Sequence, residues 1–463
     1  MKFWPSNKVF CCFVPLILLL DLFVPANSFS SAPEFVATQV HKATEQVFGM
    51  DYGDFDPLHD GKEVACLINS GSVLQLSPGL LGWEVNLRHS GQMTIGWMGA
   101  RPTIGIGDVY SGNPSKEVVI EGPSPYGSLI IMVFYDTALQ QWTSGTLFDG
   151  SSLMGGSWGA RVGDFDPRRS GDEIFHIYEG IMDFSTGTIF SNINPSAFPP
   201  YDEELVFQGA VGMDTAAGDF NPDHAGPEIV LVDEMGGTCE ILPPLFPIPG
   251  LWPRRTIWSS GYNAGWVVKI ADVDPCNPGN EIIYGTRYSN RIMMSHHNGA
   301  NPHDLQILFT GSATGYTCNI WDIAVGEVLP EIPGLEILGV DQTGSVYLVS
   351  RVEDTWHGQV IWQDTSGPLY AVIAGDFLPH RRGHEILVAG ESGIITLLTL
   401  KFTGDFTADG KINFYDFAEL ARYWKQNEPS VDIAPWPYGN GLVDMSDAAV
   451  LVEHWLLTSL CPE

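Results

Sequence analysis

One twelve-residue pattern recurs seven times in this chain, and it limits the fold more than any other feature. The copies read GDFDPLHDGKEV at Asp54, GDVYSGNPSKEV at Asp108, GDFDPRRSGDEI at Asp164, GDFNPDHAGPEI at Asp219, ADVDPCNPGNEI at Asp272, GEVLPEIPGLEI at Glu327 and GDFLPHRRGHEI at Asp376. In each copy a Glu follows the acid by nine residues: Glu63, Glu117, Glu173, Glu228, Glu281, Glu336 and Glu385. Successive copies start 49 to 56 residues apart. A constant internal spacing carried at a nearly constant period is the signature of a repeat architecture.

The unit is built from strands. Short β-branched segments such as WVVKIAD precede each acid, and EIIYG, EILGV or EILVAG begin at each Glu. A Gly-centred turn and a third strand follow, as in ILGVDQTGSVYLVS, and the period leaves room for a fourth strand such as QVIWQ or RRTIWSS. Four antiparallel strands per unit and seven units predict a mainly β fold, a seven-bladed β-propeller. The seventh copy ends near Leu400, too early for its own fourth strand, while residues 35–46 precede the first copy without a unit of their own. Pairing the two would close the ring and leave no open sheet edge.

Over residues 35–402 these copies resemble the FG-GAP family of repeats, propeller units of integrin-like type, whose loops often bind Ca²⁺. Here the loop is one residue longer than the family's calcium loop and ends in Glu. Its third position is Asp56, Tyr110, Asp166, Asn221, Asp274, Leu329 and Leu378, so four copies offer an oxygen. The acid and the Glu are present in all seven, which predicts that they tie the loop's backbone amides, groups that need acceptors at any turn. Ca²⁺ at the loops with Asp56, Asp166 and Asp274 is the alternative.

Six residues before each acid stand Phe48, Pro102, Trp158, Met213, Trp266, Trp321 and Tyr370. Rings at such a depth ordinarily pack between blades. The functional alternative is that Trp158, Trp266 and Trp321 rim the central channel and stack on a glycan ligand.

The first 28 residues carry Lys2 and Lys8, an apolar run from Val9 to Leu20, and small residues Ala26 and Ser28 at signal-peptidase spacing. They read as a cleaved signal peptide, which predicts a secreted, extracellular or cell-surface location; the run is too short to span a bilayer. A net charge of −33 argues against nucleic acid and anionic membranes as partners and is compatible with Ca²⁺. Beyond the signal, Cys66, Cys239, Cys276, Cys318 and Cys461 show no metal-ligand spacing, and their pairing is open.

The character changes after Leu400. In GDFTADGKINFYDFAELARYW, oxygen ligands fall at loop positions 1, 3, 5, 9 and 12: Asp405, Thr407, Asp409, Asn413 and Asp416, with Gly410 at 6 and the Lys411 carbonyl at 7. This is calcium-loop spacing, because alternate side chains converge on one ion and position 6 needs a sharp turn. A second copy ends in Asn440, Gly441, the Leu442 carbonyl, Asp444 and Asp447, with Asp432 reaching in across an insertion. Two such loop-helix units over residues 403–458 are similar to a dockerin domain. The resemblance implies a small all-α, EF-hand-like module that binds Ca²⁺ and docks to a cohesin domain of a scaffold or cell-surface protein. It further implies that Phe414 with Tyr415, and Met445 with Ser446, help choose that partner.

The expected organisation is therefore a signal peptide (1–28), a propeller (29–402) and a dockerin-like domain (403–463). No HExxH, G-x-S-x-G or phosphate-loop motif is present. His296–His297, His380 and His384 read as surface residues. The first functional expectation is a secreted non-catalytic binding protein for a glycan or protein. The alternative is a polysaccharide lyase or glycoside hydrolase on the same scaffold, whose catalytic residues the sequence does not name.

Overall fold

The computed structural model describes residues 33–458 except for short internal segments, the longest being 94–101, 151–156, 180–184, 244–250, 260–264, 297–303, 312–318, 379–382, 408–411 and 435–440. The signal segment 1–28, with Cys318 and Cys461, lies outside the described residues. Among the described residues, 28 strands form seven four-stranded antiparallel sheets. Each sheet is one repeat unit, and the protein is a seven-bladed propeller.

The innermost strands of blades 1 to 7 are Val47–Gly53, Thr103–Gly107, Ser157–Gly163, Gly212–Gly218, Gly265–Ala271, Ile320–Gly326 and Leu369–Gly375. Each packs beside the next, and that of blade 7 beside that of blade 1, so the ring is closed. The second strand of every blade begins at the repeat Glu. Those of Glu63–Ile68, Glu281–Thr286, Glu336–Asp341 and Glu385–Gly390 are buried at every residue. Both their faces meet a neighbouring blade, which explains their continuous aliphatic character. Outer strands such as Gln141–Asp149 and Thr355–Gln363 are mostly exposed or half-buried.

The hydrophobic core is divided into seam clusters instead of one centre. Phe55, Ala65 and Leu67 of blade 1 pack on Ile104, Val118 and Ile120 of blade 2. Comparable clusters fill the other six seams, including blade 7 on blade 1 through Ile373, Leu387 and Ile395 against Met50, Val64 and Cys66.

The ring is pinned as the sequence predicts. Phe35–Lys42 pairs antiparallel with Ile394–Leu400, from Phe35 opposite Leu400 to Lys42 opposite Ile394, and is the outer strand of blade 7. Ala43 N–H donates to the Gly393 carbonyl at 2.9 Å, and Gln46 bonds Glu391 just beyond the strand.

Glu34–Lys401 form one compact unit, and Phe402–Glu463 belong to another. In the latter the described residues form two helices, α1 (Phe414–Arg422) and α2 (Met445–Thr458), around a small core of Ile412, Leu420, Val431, Val443 and Leu451. No helix among the described residues is long and apolar enough to cross a membrane.

Candidate functional site

The repeated loop resolves into one device used seven times. Oε2 of each Glu accepts two consecutive backbone N–H groups: Phe55 and Asp56 to Glu63, Val109 and Tyr110 to Glu117, Phe165 and Asp166 to Glu173, Phe220 and Asn221 to Glu228, Val273 and Asp274 to Glu281, Val328 and Leu329 to Glu336, and Phe377 and Leu378 to Glu385. All fourteen bonds fall between 2.8 and 3.2 Å. Burial pushes Glu117, Glu173, Glu281 and Glu336 up to about 7 in spite of these donors. Two residues before the Glu, the Gly of six copies has positive φ, for example 118° at Gly61 and 120° at Gly279, a backbone that other residues enter at a cost.

The first acid does not share the Glu's role. Asp54, Asp108, Asp164, Asp219, Asp272, Glu327 and Asp376 are all exposed, because each follows the last residue of an inner strand and turns to solvent. What this position contributes is backbone for the next blade: Asp172 N–H donates to the Asp108 carbonyl, His384 N–H to the Glu327 carbonyl, and Asn280 Nδ2 to the Asp219 carbonyl. His296 ends a strand, while His297 and His380 lie outside the described residues.

At the third loop position, guanidinium groups meet the carboxylates. Arg88 Nη2 donates to Asp56 Oδ2 at 2.8 Å, Arg168 Nε to Asp166 Oδ1 at 2.6 Å with Arg169 Nε on the other oxygen at 3.0 Å, and Arg351 of blade 6 pairs with Asp274 of blade 5. Burial raises the Asp166 pKa, but the bonds from Arg168 and Arg169 outweigh it and hold the group below its ordinary value. In blade 4 the charge is moved one strand over. Asn221 bonds Glu240, which Arg255 pairs, where blade 1 has Asp56, Gln75 and Arg88. A cation already sits where Ca²⁺ would have to enter, so these loops are arranged as structural ties.

The ring-bearing position is a β-bulge. The inner-strand register slips between Val47 and Gly49, Ser157 and Gly159, Gly212 and Asp214, Gly265 and Val267, Ile320 and Asp322, and Leu369 and Ala371. The skipped residues are Phe48, Trp158, Met213, Trp266, Trp321 and Tyr370, and a bulge re-aims its extra side chain. Four of these rings meet across three seams: Trp266 to Trp321 at 5.4 Å, Trp321 to Tyr370 at 5.1 Å, and Tyr370 stacked on Phe48 at 5.1 Å and 7°. Trp266 is buried and Arg287 lies over its ring at 4.7 Å, whereas Phe48 and Trp321 are half-buried. The Trp158 side chain lies outside the described residues.

The inner strands enclose a cavity of about 370 Å³. Its lining carries four charged residues that no sequence motif singles out: Asp51, Arg161, Lys269 and Asp322. Superposing the seven copies does put Asp51, Arg161 and Lys269 in one column, three residues before the loop acid. The carboxylates serve the seams. Asp51 accepts the Ile106 N–H of blade 2 at 2.9 Å, Asp214 the Val268 N–H of blade 5 at 3.0 Å, and Asp322 the Val372 N–H of blade 7 at 3.1 Å. Arg161 Nε donates to Asp214 Oδ1 at 2.7 Å. Burial raises the Asp51 pKa, with Lys269 and the two amide donors pulling against it.

In the C-terminal unit, the two loop-helix halves repeat one arrangement. Asn413 caps α1 by accepting the Tyr415 N–H at 2.8 Å, while Asp416 accepts the Asn413 N–H at 2.8 Å and both Thr407 donors at 2.9 Å. Asp444 likewise accepts the Ser446 N–H, and Asp447 accepts the N–H groups of Asp444, Ile433 and Ala434 at 2.6–2.7 Å. Asp432 accepts the Gly441 N–H at 2.6 Å. Asp416 and Asp447 are fully buried, and no ion pair to a basic side chain is formed by either among the described residues. No cluster of three His, Cys, Asp or Glu side chains forms among the described residues, and Asp405, Asp409, Lys411 and Asn440 lie outside them. Leu442 is exposed beside the second loop. Phe414, Tyr415 and Met445 are 75%, 74% and 69% exposed, and Ser446 is exposed beside them.

Fold and site together define a closed seven-bladed propeller with acid-anchored blade loops. No family model and no curated protein sequence matches the chain. Among solved structures it is similar to YCF48 from Cyanidioschyzon merolae, at 13% identity and a TM-score of 0.47 over 80% of this chain and 99% of that one. It is also similar to a structure described as YCF48 bound to D1 peptide, at 15% identity and a TM-score of 0.48 over 81% and 98%.

Proposed function

We propose that the chain is an exported, non-catalytic binding protein. Its propeller, built of FG-GAP-like units, recognises a glycan or protein ligand, and its C-terminal segment is a dockerin-like module that folds around Ca²⁺ and docks to a cohesin-bearing scaffold or cell-surface protein. The observation that carries the binding reading is the use of the inner-strand carboxylates: Asp51 and Asp322, which line the cavity, and Asp214 each hold a backbone amide of a neighbouring blade. A carboxylate engaged as a seam acceptor is poorly placed to exchange protons with a substrate, which favours recognition over acid-base chemistry.

The docking reading is supported by the paired geometry of Asp416 and Asp447. Buried carboxylates without a basic side-chain partner suit a hard cation that takes only oxygen ligands. Asp405, Thr407, Asp409, the Lys411 carbonyl, Asn413 and Asp416 would hold one ion, and Asp432, Asn440, the Leu442 carbonyl, Asp444 and Asp447 a second. The exposed Phe414, Tyr415 and Met445 supply an apolar face beside the loops for a partner.

The test is a Ca²⁺ titration of the full chain followed by far-UV circular dichroism, with capture on immobilised cohesin domains in Ca²⁺ and in chelator. Helical signal and capture should both require Ca²⁺. Helicity that ignores chelator would end the docking reading.

A further inference from the structure

The bulged position at the start of the inner strands, the end of the channel away from the repeat loops, does not need a ring to seal neighbouring blades. Met213 fills it in blade 4 at 2% exposure, and Pro102 fills the matching position of blade 2, also buried. In the consecutive blades 5, 6, 7 and 1 it holds Trp266, Trp321, Tyr370 and Phe48 instead, and burial alternates along that series: Trp266 and Tyr370 are buried, Trp321 and Phe48 are half-buried. The protein itself closes the Trp266 end, where Arg287 lies over that ring at 4.7 Å and over Tyr288 at 4.8 Å, with Tyr288 held at a φ of 76°. The Phe48 end stops at Pro102 of the next blade. The open part of the series is therefore Trp321 and Phe48, with Tyr370 between them. Both stand at the edge of the channel cavity, since Asp322 and Gly49, the residues that follow them, line it.

Two further observations bear on what these rings receive. Trp321 Nε1 is buried and has no hydrogen-bond partner among the described residues. An indole N–H can only donate, and leaving a buried donor unmet is costly, so the position calls for an acceptor atom. Charge supplies the second observation. The chain carries a net charge of −33, and the exposed Glu391 stands beside the series, accepting the Tyr370 hydroxyl at 2.7 Å. An anionic ligand is repelled there. An organic cation is drawn to ring faces, but it brings no acceptor for the indole.

We propose that Trp321 and Phe48 form a stacking platform at the channel mouth for a neutral glycan, with a glycan oxygen accepting the Trp321 Nε1–H. This deepens the binding reading of the propeller and rests on it. The axial C–H groups of a neutral pyranose make a flat apolar face of partial positive charge. Such a face suits the negative face of an aromatic ring, as ring edges do in T-shaped pairs. The sugar's oxygens surround that face, where an indole edge can reach them. Tyr370, anchored by Glu391, braces both rings from between, at 5.1 Å from Trp321 and stacked at 5.1 Å on Phe48.

The test is isothermal titration of the full chain with neutral galactan and glucan oligosaccharides, and with oligogalacturonate and choline as comparison probes. A neutral oligosaccharide should bind, and the two charged probes should not. Trp321→Met and Phe48→Met should each weaken that binding about tenfold and leave the melting temperature unchanged, since Met213 fills the same position in blade 4. Trp321→Phe keeps a ring without the indole donor and should fall between the native protein and Trp321→Met; should a Met variant fail to fold, Trp321→Phe decides. Neutral binding that survives these substitutions overturns the platform and leaves the binding reading in place. Absence of binding by both neutral oligosaccharides overturns the platform and leaves the propeller a protein ligand. Binding of choline in their place overturns the glycan assignment. Shortened oligosaccharides after incubation would keep the platform and overturn the non-catalytic reading.

Discussion

Oε2 of Glu173 lies 3.0 Å from the amide nitrogen of Asp166, seven residues earlier in the chain, and 3.0 Å from that of Phe165 as well. One buried carboxylate oxygen therefore closes the loop at the end of the blade's inner strand, and the same relationship recurs in every blade.

Removing the acceptor should cost more than removing the charge. Glu173→Ala strands two amide donors in a buried loop and should destabilise the protein by about 2–3 kcal/mol. Glu173→Gln keeps a carbonyl oxygen in place and should cost under about 1 kcal/mol. Urea unfolding of the two variants checks the order, and equal losses would refute the amide-anchor account.

These carboxyls also set a pH trend. Glu117, Glu173, Glu281 and Glu336 titrate at about 7 in the folded protein against an ordinary 4.5, so the folded state holds their protons more tightly than the unfolded chain does. Their contribution to stability is full below about 4.5 and is lost as pH rises through about 7. Stability should fall between pH 5 and pH 8 by an amount on the order of 1 kcal/mol for each of these four groups, and the melting temperature should fall with it. Replacing all four by Gln should flatten the profile, which thermal scans across that range would show.

The Asp56–Arg88 pair provides a third test. Asp56 is fully buried, so Arg88→Met leaves its charge without a guanidinium and should destabilise by about 3 kcal/mol. Adding Asp56→Asn should restore most of the loss, because the Asn at the equivalent Asn221 already supports the loop in blade 4. Were Ca²⁺ the true partner of Asp56, Arg88→Met would instead raise Ca²⁺ affinity at the ring, which calorimetry would detect.

Closure gives the fourth. Deleting residues 34–42 strips the outer strand from blade 7 and uncovers the edge of Ile394–Leu400. The shortened protein should melt lower and self-associate, and light scattering with thermal unfolding measures both. An unchanged melting curve would mean that the terminal strand does not hold the ring.

How far the fold was legible depended on whether the information ran along the chain. The Asp-to-Glu spacing, the period near 54 residues and the orphan segment before the first copy are one-dimensional facts, and they suffice for blade count and closure. The shared spacing also misled in one respect, since it assigned the acid and the Glu a common role. Glu63 and its counterparts turn inward while Asp54 and its counterparts face water, and spacing carries no record of direction.

Strand pattern, repeat number and the oxygen-rich C-terminal loops were determined by the order of residues alone, because local hydrogen bonding and β-branched periodicity act between near neighbours. Tertiary structure decided the rest: that Arg351 reaches Asp274 from the next blade, that bulged rings from Trp266 round to Phe48 touch in series, and that Lys269 and Arg161 face one cavity. Those relations join residues in different blades, and only the angle at which each sheet sits round the axis brings them within reach.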